Sequence, residues 1–264
     1  MKLSIIVPTL TGELPPGLPS GNPEVEVVAI KRVSPVGKAR NEGLRRAQGE
    51  YIAWVDADDE ISPEWLSEIM AAIANEPDLI VIDVEGQGWQ RFFGGVWAVP
   101  NGEVSPERLM QDIYGDGTLA NAMWQFVTRR ELWQNLNFDE TTEAWEDYLV
   151  LPELASRAKK VWHIAKPLYR YINRPGSLVN TSTREREDKS IGRIIGRADL
   201  AKPQWRQLAR FAAARECYWV WRRSRNEEAW KFVAQGFGPL AAQALRLGYW
   251  RWALRLAGML FKVL

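Results

Sequence analysis

The sequence predicts an α/β protein: a mostly parallel sheet flanked by helices, followed by a helical C-terminal extension. Three observations carry this. Short apolar runs rich in Val and Ile (Leu3–Val7, Val25–Ile30, Tyr51–Val55, Leu79–Val84) alternate with segments of helical period, the pattern of a layered α/β domain. The stretch Tyr51–Asp59, Y-I-A-W-V-D-A-D-D, runs from apolar and aromatic residues straight into carboxylates, as a strand buried on both faces does where its carboxyl end meets water. Beyond residue 184 the strand signals stop and apolar residues keep helical spacing, as at Trp205, Leu208, Phe211 and Ala212.

Taken in order, Leu3–Val7 is a strand ended by Pro8-Thr9. Residues 11–23 are rich in Gly and Pro and read as a loop. Val25–Ile30 is the second strand, and Gly37–Gln48 a short helix with Gly49 at its C′ position. Lys38 and Arg40 lie in its first turn, the wrong end for cations by the helix dipole. Either an anion is held there by the free N–H groups, or these are solvated surface charges. After the Tyr51 strand, Ser62 and Pro63 suit the N-cap and N1 of a helix reaching about Asn75, with Trp65, Ile69 and Ile73 on one side. On that reading Asp59 is ordinary dipole or capping chemistry near a helix start.

Leu79–Val84 is the next strand, Trp89–Gly102 a hairpin or ordered loop, and Glu107–Tyr114 a short helix. Asn121–Val127 reads as a strand or a buried approach to the site, and Arg130–Asn135 as a short helix. A helix runs from Glu143 to about Lys159 and clusters Glu143, Glu146 and Asp147 on its first turns. Val161–Ile164 and Leu168–Tyr171 form a strand pair or one kinked strand. His163 sits among apolar residues and reads as a buried, satisfied side chain rather than a catalyst. The polar stretch Asn173–Ser190, with its charge cluster at 184–189, reads as a loop or linker. This divides the chain into a catalytic domain, 1–183, and a basic, Trp-rich helical extension, 184–264.

Composition is that of a globular protein, 46% apolar and 25% charged. One cysteine, Cys217, excludes an internal disulfide and fits a reducing compartment. One histidine makes a His/Cys zinc site a poor reading. Met1-Lys2-Leu3 leads directly into a strand with no signal peptide, and no apolar run is long enough to span a bilayer, so a cytoplasmic location is expected. The 34 basic and 33 acidic residues divide unevenly: 17 and 7 from Arg184 onward, a net of +10, and so 17 and 26 before it, a net of −9. Trp-Arg interleaving in the tail (Trp219-Val220-Trp221-Arg222-Arg223, Tyr249-Trp250-Arg251-Trp252) suits peripheral contact of 205–264 with an anionic membrane, on the inner face of the cytoplasmic membrane. Helices packed on the catalytic body with arginine outward give the same pattern. No nucleic-acid partner is expected.

Asp56 and Asp58 are two apart and share a side if the backbone stays extended. Two convergent carboxylates repel unless a cation or proton lies between them, and a hard divalent ion that also takes substrate phosphates suits them. With a second carboxylate group at Glu146 and Asp147, the set fits transfer of a sugar from a nucleotide diphosphate. Asp147 takes the acceptor's proton, with Glu146 beside it, and the single displacement inverts the anomeric centre.

The motifs S-I-I-V-P-T (4–9), K-A-R-N-E-G (38–43), A-Q-G-E-Y-I-A-W-V-D-A-D-D (47–59), N-A-M-W-Q-F-V-T-R-R-E-L (121–132), W-E-D-Y-L-V (145–150) and P-L-Y-R-Y-I-N-R-P-G-S-L (167–178) resemble family 2 of the nucleotide-sugar glycosyltransferases, with the Rossmann-like GT-A fold. The resemblance covers roughly residues 1–180. It implies Pro8 and Thr9 lining the nucleotide pocket and Arg40, with Lys38, facing the nucleotide or its phosphates. It places Asp56 at the ribose or the metal's shell with Ala57 beside it, Asp58 on Mn²⁺ or Mg²⁺, and Asp147 as the base. The implied partners are a nucleotide-diphosphate sugar and a glycan or lipid-linked acceptor, in cell-envelope polysaccharide synthesis. One departure concerns the base: the second strand ends Ala29-Ile30-Lys31-Arg32 without the family's acidic motif, so uridine is favoured by family habit alone. Two other readings stand beside this one. A sugar-nucleotide nucleotidyltransferase needs basic residues in the loop 11–23, which has none. A binding or scaffold protein of the same fold fits the missing acidic motif.

Overall fold

The computed structural model describes residues 1–86, 96–115, 119, 122–142, 145–174 and 184–260, with side chains from residue 189 in the last segment. The chain divides into two compact units, Met1–Ile113 with Gly117–Pro175, and Tyr114–Asp116 with Gly176–Leu264.

The first unit is built on a mixed sheet. Its strands are β1 Leu3–Thr9, β2 Val25–Lys31, β3 Tyr51–Trp54, β4 Glu60–Ile61, β5 Leu79–Gly86, β6 Gly102–Val104, β7 Phe126–Arg129 and β8 Val161–Tyr171. Their order is β2-β1-β3-β7-β5-β8-β4, with β6 on β8. The expected parallel pairing holds at β2-β1-β3 and at β5-β8. β7 runs antiparallel between β3 and β5, and β4 and β6 run antiparallel to β8, so the sheet is mixed, with its longest ladders parallel. β8 is one strand, and its register against β5 shifts opposite Ile82–Val84, where Pro167 removes a ladder donor.

β3 is buried along its whole length, as its apolar run requires. Its neighbour β1 is likewise buried, and Val55 N–H donates to the Ile6 carbonyl at 3.1 Å, so β1 and β3 deliver Pro8-Thr9 and Asp56 to the same edge of the sheet. Helix α1 spans Val36–Arg46 and α2 Trp65–Ile73, the latter burying Trp65, Ile69 and Ile73. Helix α3 is Pro106–Tyr114, and α4 is Glu146–Ala155. Asn121–Val127 contains a short 3₁₀ turn, Met123–Gln125, leading into β7. Gly49 is not the C′ residue of α1, which is capped at Ala47. It is glycine because a Cβ there would lie 2.5 Å from the Ser4 amide nitrogen.

The second unit is helical: α5 Arg184–Leu200, α6 Pro203–Ser224, α7 Glu227–Arg246 and α8 Trp250–Leu260. The stretch expected to be a loop is therefore helix from Arg184 onward. Ile191, Ile194 and Ala198, at helical spacing, are buried and anchor it. Among the described residues no helix is long and apolar enough to cross a membrane.

Candidate active site

The site grows from the carboxyl ends of β1 and β3, the first turns of α1 and the start of α4. Trp145 adopts left-handed φ (70°) at the N-cap of α4, an unusual backbone for a non-glycine, and launches Glu146 and Asp147 into the helix's positive end. Helix α1 is clamped from behind by Asn41, whose Nδ2 donates to the carbonyl of Phe138 at 3.0 Å and to Glu140 at 2.9 Å, while its Oδ1 accepts from the Phe138 N–H. Gly37 permits the close approach, since a Cβ would sit 2.5 Å from the Asp139 carbonyl.

These elements bring four charged groups together. Arg40 Nη1 donates to Glu146 Oε1 at 2.6 Å and to Asp147 Oδ1 at 2.5 Å, and Nη2 reaches Asp56 Oδ1 at 3.4 Å. The guanidinium is only 3% exposed, while the three carboxylates keep 13–30% of their surface. Phe138 packs against it with its ring centroid 5.5 Å from Cζ. Burial opposes the charge on Arg40, but the carboxylates of Asp147, Asp56 and Glu146 outweigh it and hold its pKa above the usual value. For Asp147, burial pushes the carboxyl up to about 7, with Glu146 adding repulsion and Arg40 and the Met123 N–H pulling the other way. The Met123 amide donates to Asp147 Oδ2 at 3.0 Å. Asp56 is also raised, by burial first, and Arg40 opposes.

The position of Arg40 corrects one expectation. The anion at the first turn of α1 is the protein's own. Arg40 is enclosed by three carboxylates and does not offer a free guanidinium to a phosphate. Lys38 is exposed, with no side-chain ion pair to this cluster. Thr9 is buried, its Oγ1 accepting from the Gly12 N–H at 3.0 Å, and Pro8 beside it is partly exposed.

A second correction concerns the carboxylate stretch. Strand β3 ends at Trp54, and residues 56–59 form a turn closed by Asp59 N–H to the Asp56 carbonyl at 3.2 Å. Asp56 and Asp58 are neighbours through that turn and not through extended alternation. Ala57 and Asp58 are partly exposed on it. Asp59 caps no helix: α2 starts at Trp65, its N-cap is Glu64 rather than Ser62, and Pro63 lies ahead of it. Instead Asp59 is buried. It accepts from Tyr169 Oη–H at 2.6 Å and from the Ile172 N–H at 2.8 Å, and burial with Asp56 nearby lifts it to about 7. Tyr169 Oη in turn accepts the Asp56 N–H at 3.1 Å. The Tyr169 ring stacks on Trp124, 4.8 Å between centroids and 5° between planes, next to the residue whose amide holds Asp147. Sequence reading missed Asn41, Asp59 and Tyr169. Their partners lie far off in the chain, and only K-A-R-N and the third Asp of D-A-D-D hinted at them.

The donor set suits an ion that takes one or two carboxylates and completes its shell with water and phosphate oxygen. Among the described residues no group of three or more His, Cys, Asp or Glu forms a closed metal cluster. One guanidinium against Asp56, Glu146 and Asp147, with Asp58 adjacent, leaves excess negative charge that a divalent cation would offset.

Residues 16–136 match the model of glycosyl transferase family 2. The chain is similar to the uncharacterized glycosyltransferase EpsJ of Bacillus subtilis (strain 168), 25% identical over 166 residues, or 59% of this chain and 47% of that one. It is also similar to the minor teichoic acid biosynthesis protein GgaB of the same organism, 24% identical over 151 residues, 55% of this chain and 16% of that one. The chain thus spans half or less of the length of these curated relatives. Among solved structures, S. aureus TarS 1–349 in complex with UDP-GlcNAc shares the fold at a TM-score of 0.67 and 21% identity, covering 100% of this chain and 88% of that one.

Proposed function

We propose that the chain is a family 2 glycosyltransferase, a reading supported by the family-model match over residues 16–136 and the shared fold, and that it inverts the configuration of the sugar it transfers. It moves a hexosyl group from a nucleotide-diphosphate sugar, UDP-linked by preference, to a hydroxyl of a glycan or lipid-linked acceptor of the cell envelope. The observation that carries this reading is the crowding of Asp56, Glu146 and Asp147 around one buried guanidinium at the end of β3, with Asp147 lifted to about 7.

In this reading the acceptor O–H gives its proton to Asp147 as its oxygen bonds to the anomeric carbon. The bond from that carbon to the diphosphate oxygen breaks, and the electron pair leaves with the nucleotide diphosphate. No covalent enzyme intermediate forms, so the configuration inverts. Arg40 keeps the Asp147 carboxylate aimed, bridging it to Glu146 through Nη1. Pro8, Thr9, Ala57 and Lys38 line the donor side. Asp58 and Asp56 would hold Mn²⁺ or Mg²⁺, which when bound supplies charge neutralisation to the leaving diphosphate. The protein works at the cytoplasmic face of the membrane, touching it through 205–264.

Thermal shift with UDP, GDP and dTDP, each with and without Mn²⁺, tests the donor reading. A metal-dependent shift with UDP, lost in Asp58→Ala, is expected. No shift with any diphosphate would overturn transfer in favour of a scaffold.

A further inference from the structure

Helix α8 is apolar on two opposite sides. Trp252, Leu256 and Met259, at i, i+4 and i+7, are buried and account for its packing. Trp250 and Leu254, also i and i+4 but on the far side, are 55% and 62% exposed, and nothing among the described residues of the helical unit explains them. Exposed Arg251 flanks this outer side, and partly exposed Arg255 lies between it and the packed side. Arg251 lies with Cζ 5.3 Å from the Trp250 ring centroid, and Arg255 reaches over Trp219 of α6 at 5.8 Å and over Trp252 at 4.7 Å. Trp219 is itself 37% exposed, and one turn on from it Arg222 and Arg223 are exposed too. Leu245 and Arg246, in the last turn of α7, are exposed as well. From Leu245 to Leu260 the sequence holds Arg246, Arg251 and Arg255 and no acidic residue.

From this we infer that the outer face of α8, with Trp219 of α6 beside it, is the surface that seats on an anionic phospholipid bilayer, Trp250 and Leu254 entering the headgroup–acyl boundary and the arginines taking the phosphates. This narrows the peripheral contact proposed above to one helix face. Exposed Trp and Leu alone would suit an apolar protein partner equally. With Glu216 one turn before Trp219 as its acidic neighbour on α6, the rim of Arg222, Arg223, Arg246, Arg251 and Arg255 is still strongly net cationic. That selects an anionic sheet and disfavours a second copy of this chain, which would bring the same cations against it. Tryptophan and arginine also have the right shape for this border, each with an apolar body and a polar tip.

The test uses the full chain and sedimentation with vesicles of phosphatidylcholine, or of phosphatidylcholine with phosphatidylglycerol, at low and high salt. Binding to the anionic vesicles only, weakened by salt, is expected. The double variant Trp250→Ala/Leu254→Ala, which alters two exposed side chains, should bind at least about tenfold more weakly. Arg251→Gln/Arg255→Gln should lose the preference for anionic over neutral vesicles. UDP-induced thermal shift is measured on every variant, and unchanged shifts show that the donor site stands or falls separately. Equal vesicle binding by the parent and Trp250→Ala/Leu254→Ala overturns the inference. So does a concentration-dependent dimer in the absence of lipid that this double variant abolishes, because the face would then serve a second copy.

Discussion

The first unit buries two clusters of charge, and they are built on opposite principles. On β5 and β8, His163 and Asp83 meet one to one across a single contact. His163 Nδ1 faces the Val99 carbonyl at 2.9 Å, which only accepts, so that nitrogen carries hydrogen, and Nε2 meets Asp83 Oδ1 at 3.1 Å. The Trp97 N–H closes on the same oxygen at 2.8 Å, and its indole N–H donates to Asp112, which also takes Arg108. At the end of β3, by contrast, one guanidinium serves Asp56, Glu146 and Asp147. The contacts described in the His163 cluster are all made within the protein, side chain to side chain and side chain to backbone. The unmatched one holds excess negative charge and a carboxyl at about 7, both of which fit a cation and a proton from outside. Imbalance, rather than burial, is what sets the proposed catalytic cluster apart from the other.

The largest expected effect sets the two clusters against each other directly. Asp147→Asn should lower kcat by roughly 10²–10⁴ with the donor KM little changed, since only the proton acceptor is lost. Asp83→Asn should leave kcat near that of the parent, once corrected for folded protein. Comparable losses in both would erase the distinction. The same base predicts that kcat/KM rises with pH through about 7, the pH at which Asp147 sheds its proton.

Stability should separate them next. Arg40→Met removes the only cation among the described residues of its cluster and should cost about 3–5 kcal/mol, the usual result of stranding buried charge. Its sign with pH follows from the carboxyls. Asp147 and Asp59 fold with pKa values raised to about 7, so the native state holds more protons than the unfolded chain between the ordinary carboxylate range and about 7. Stability therefore falls as pH rises through that window and levels off above it. Without Arg40 the Asp147 carboxyl rises further and the fall extends above pH 7. Denaturant midpoints at pH 5, 7 and 8.5 check this: the Arg40→Met deficit should be smallest at pH 5, and an equal deficit throughout would mean that Arg40 acts by packing alone.

What the sequence made legible divides along the same line. Local signals worked for the apolar run of β3 and the Trp65-Ile69-Ile73 face of α2, which lie where their spacing places them, whereas the acids of D-A-D-D sit on a turn that the extended spacing did not show. Long-range pairing did not show. β7 enters antiparallel between β3 and β5, an arrangement no local period encodes. Arg40 finds its carboxylates 106 and 107 positions away, and Asp59 finds Tyr169 110 positions away. The alternating charges that open α5 looked like linker because the buried apolar residues described on their helix, Ile191, Ile194 and Ala198, come later.

The smallest effect probes what joins the two halves of the unmatched cluster. Tyr169→Phe keeps the ring on Trp124 and removes one hydroxyl, leaving the Asp56 N–H without its acceptor and Asp59 without one of its two donors. The cost in stability should be about 1–3 kcal/mol, that of an unmade buried hydrogen bond. If the hydroxyl merely fills space, nothing else should move. If it fixes the turn that carries Asp56 and Asp58, the Mn²⁺ concentration for half-maximal activity should rise several-fold. The pH at which kcat/KM climbs should meanwhile stay near 7, because Arg40 and the Met123 N–H still hold Asp147. An unchanged metal requirement would show that the turn is held well enough by the Asp59 N–H on the Asp56 carbonyl and the Ile172 N–H on Asp59.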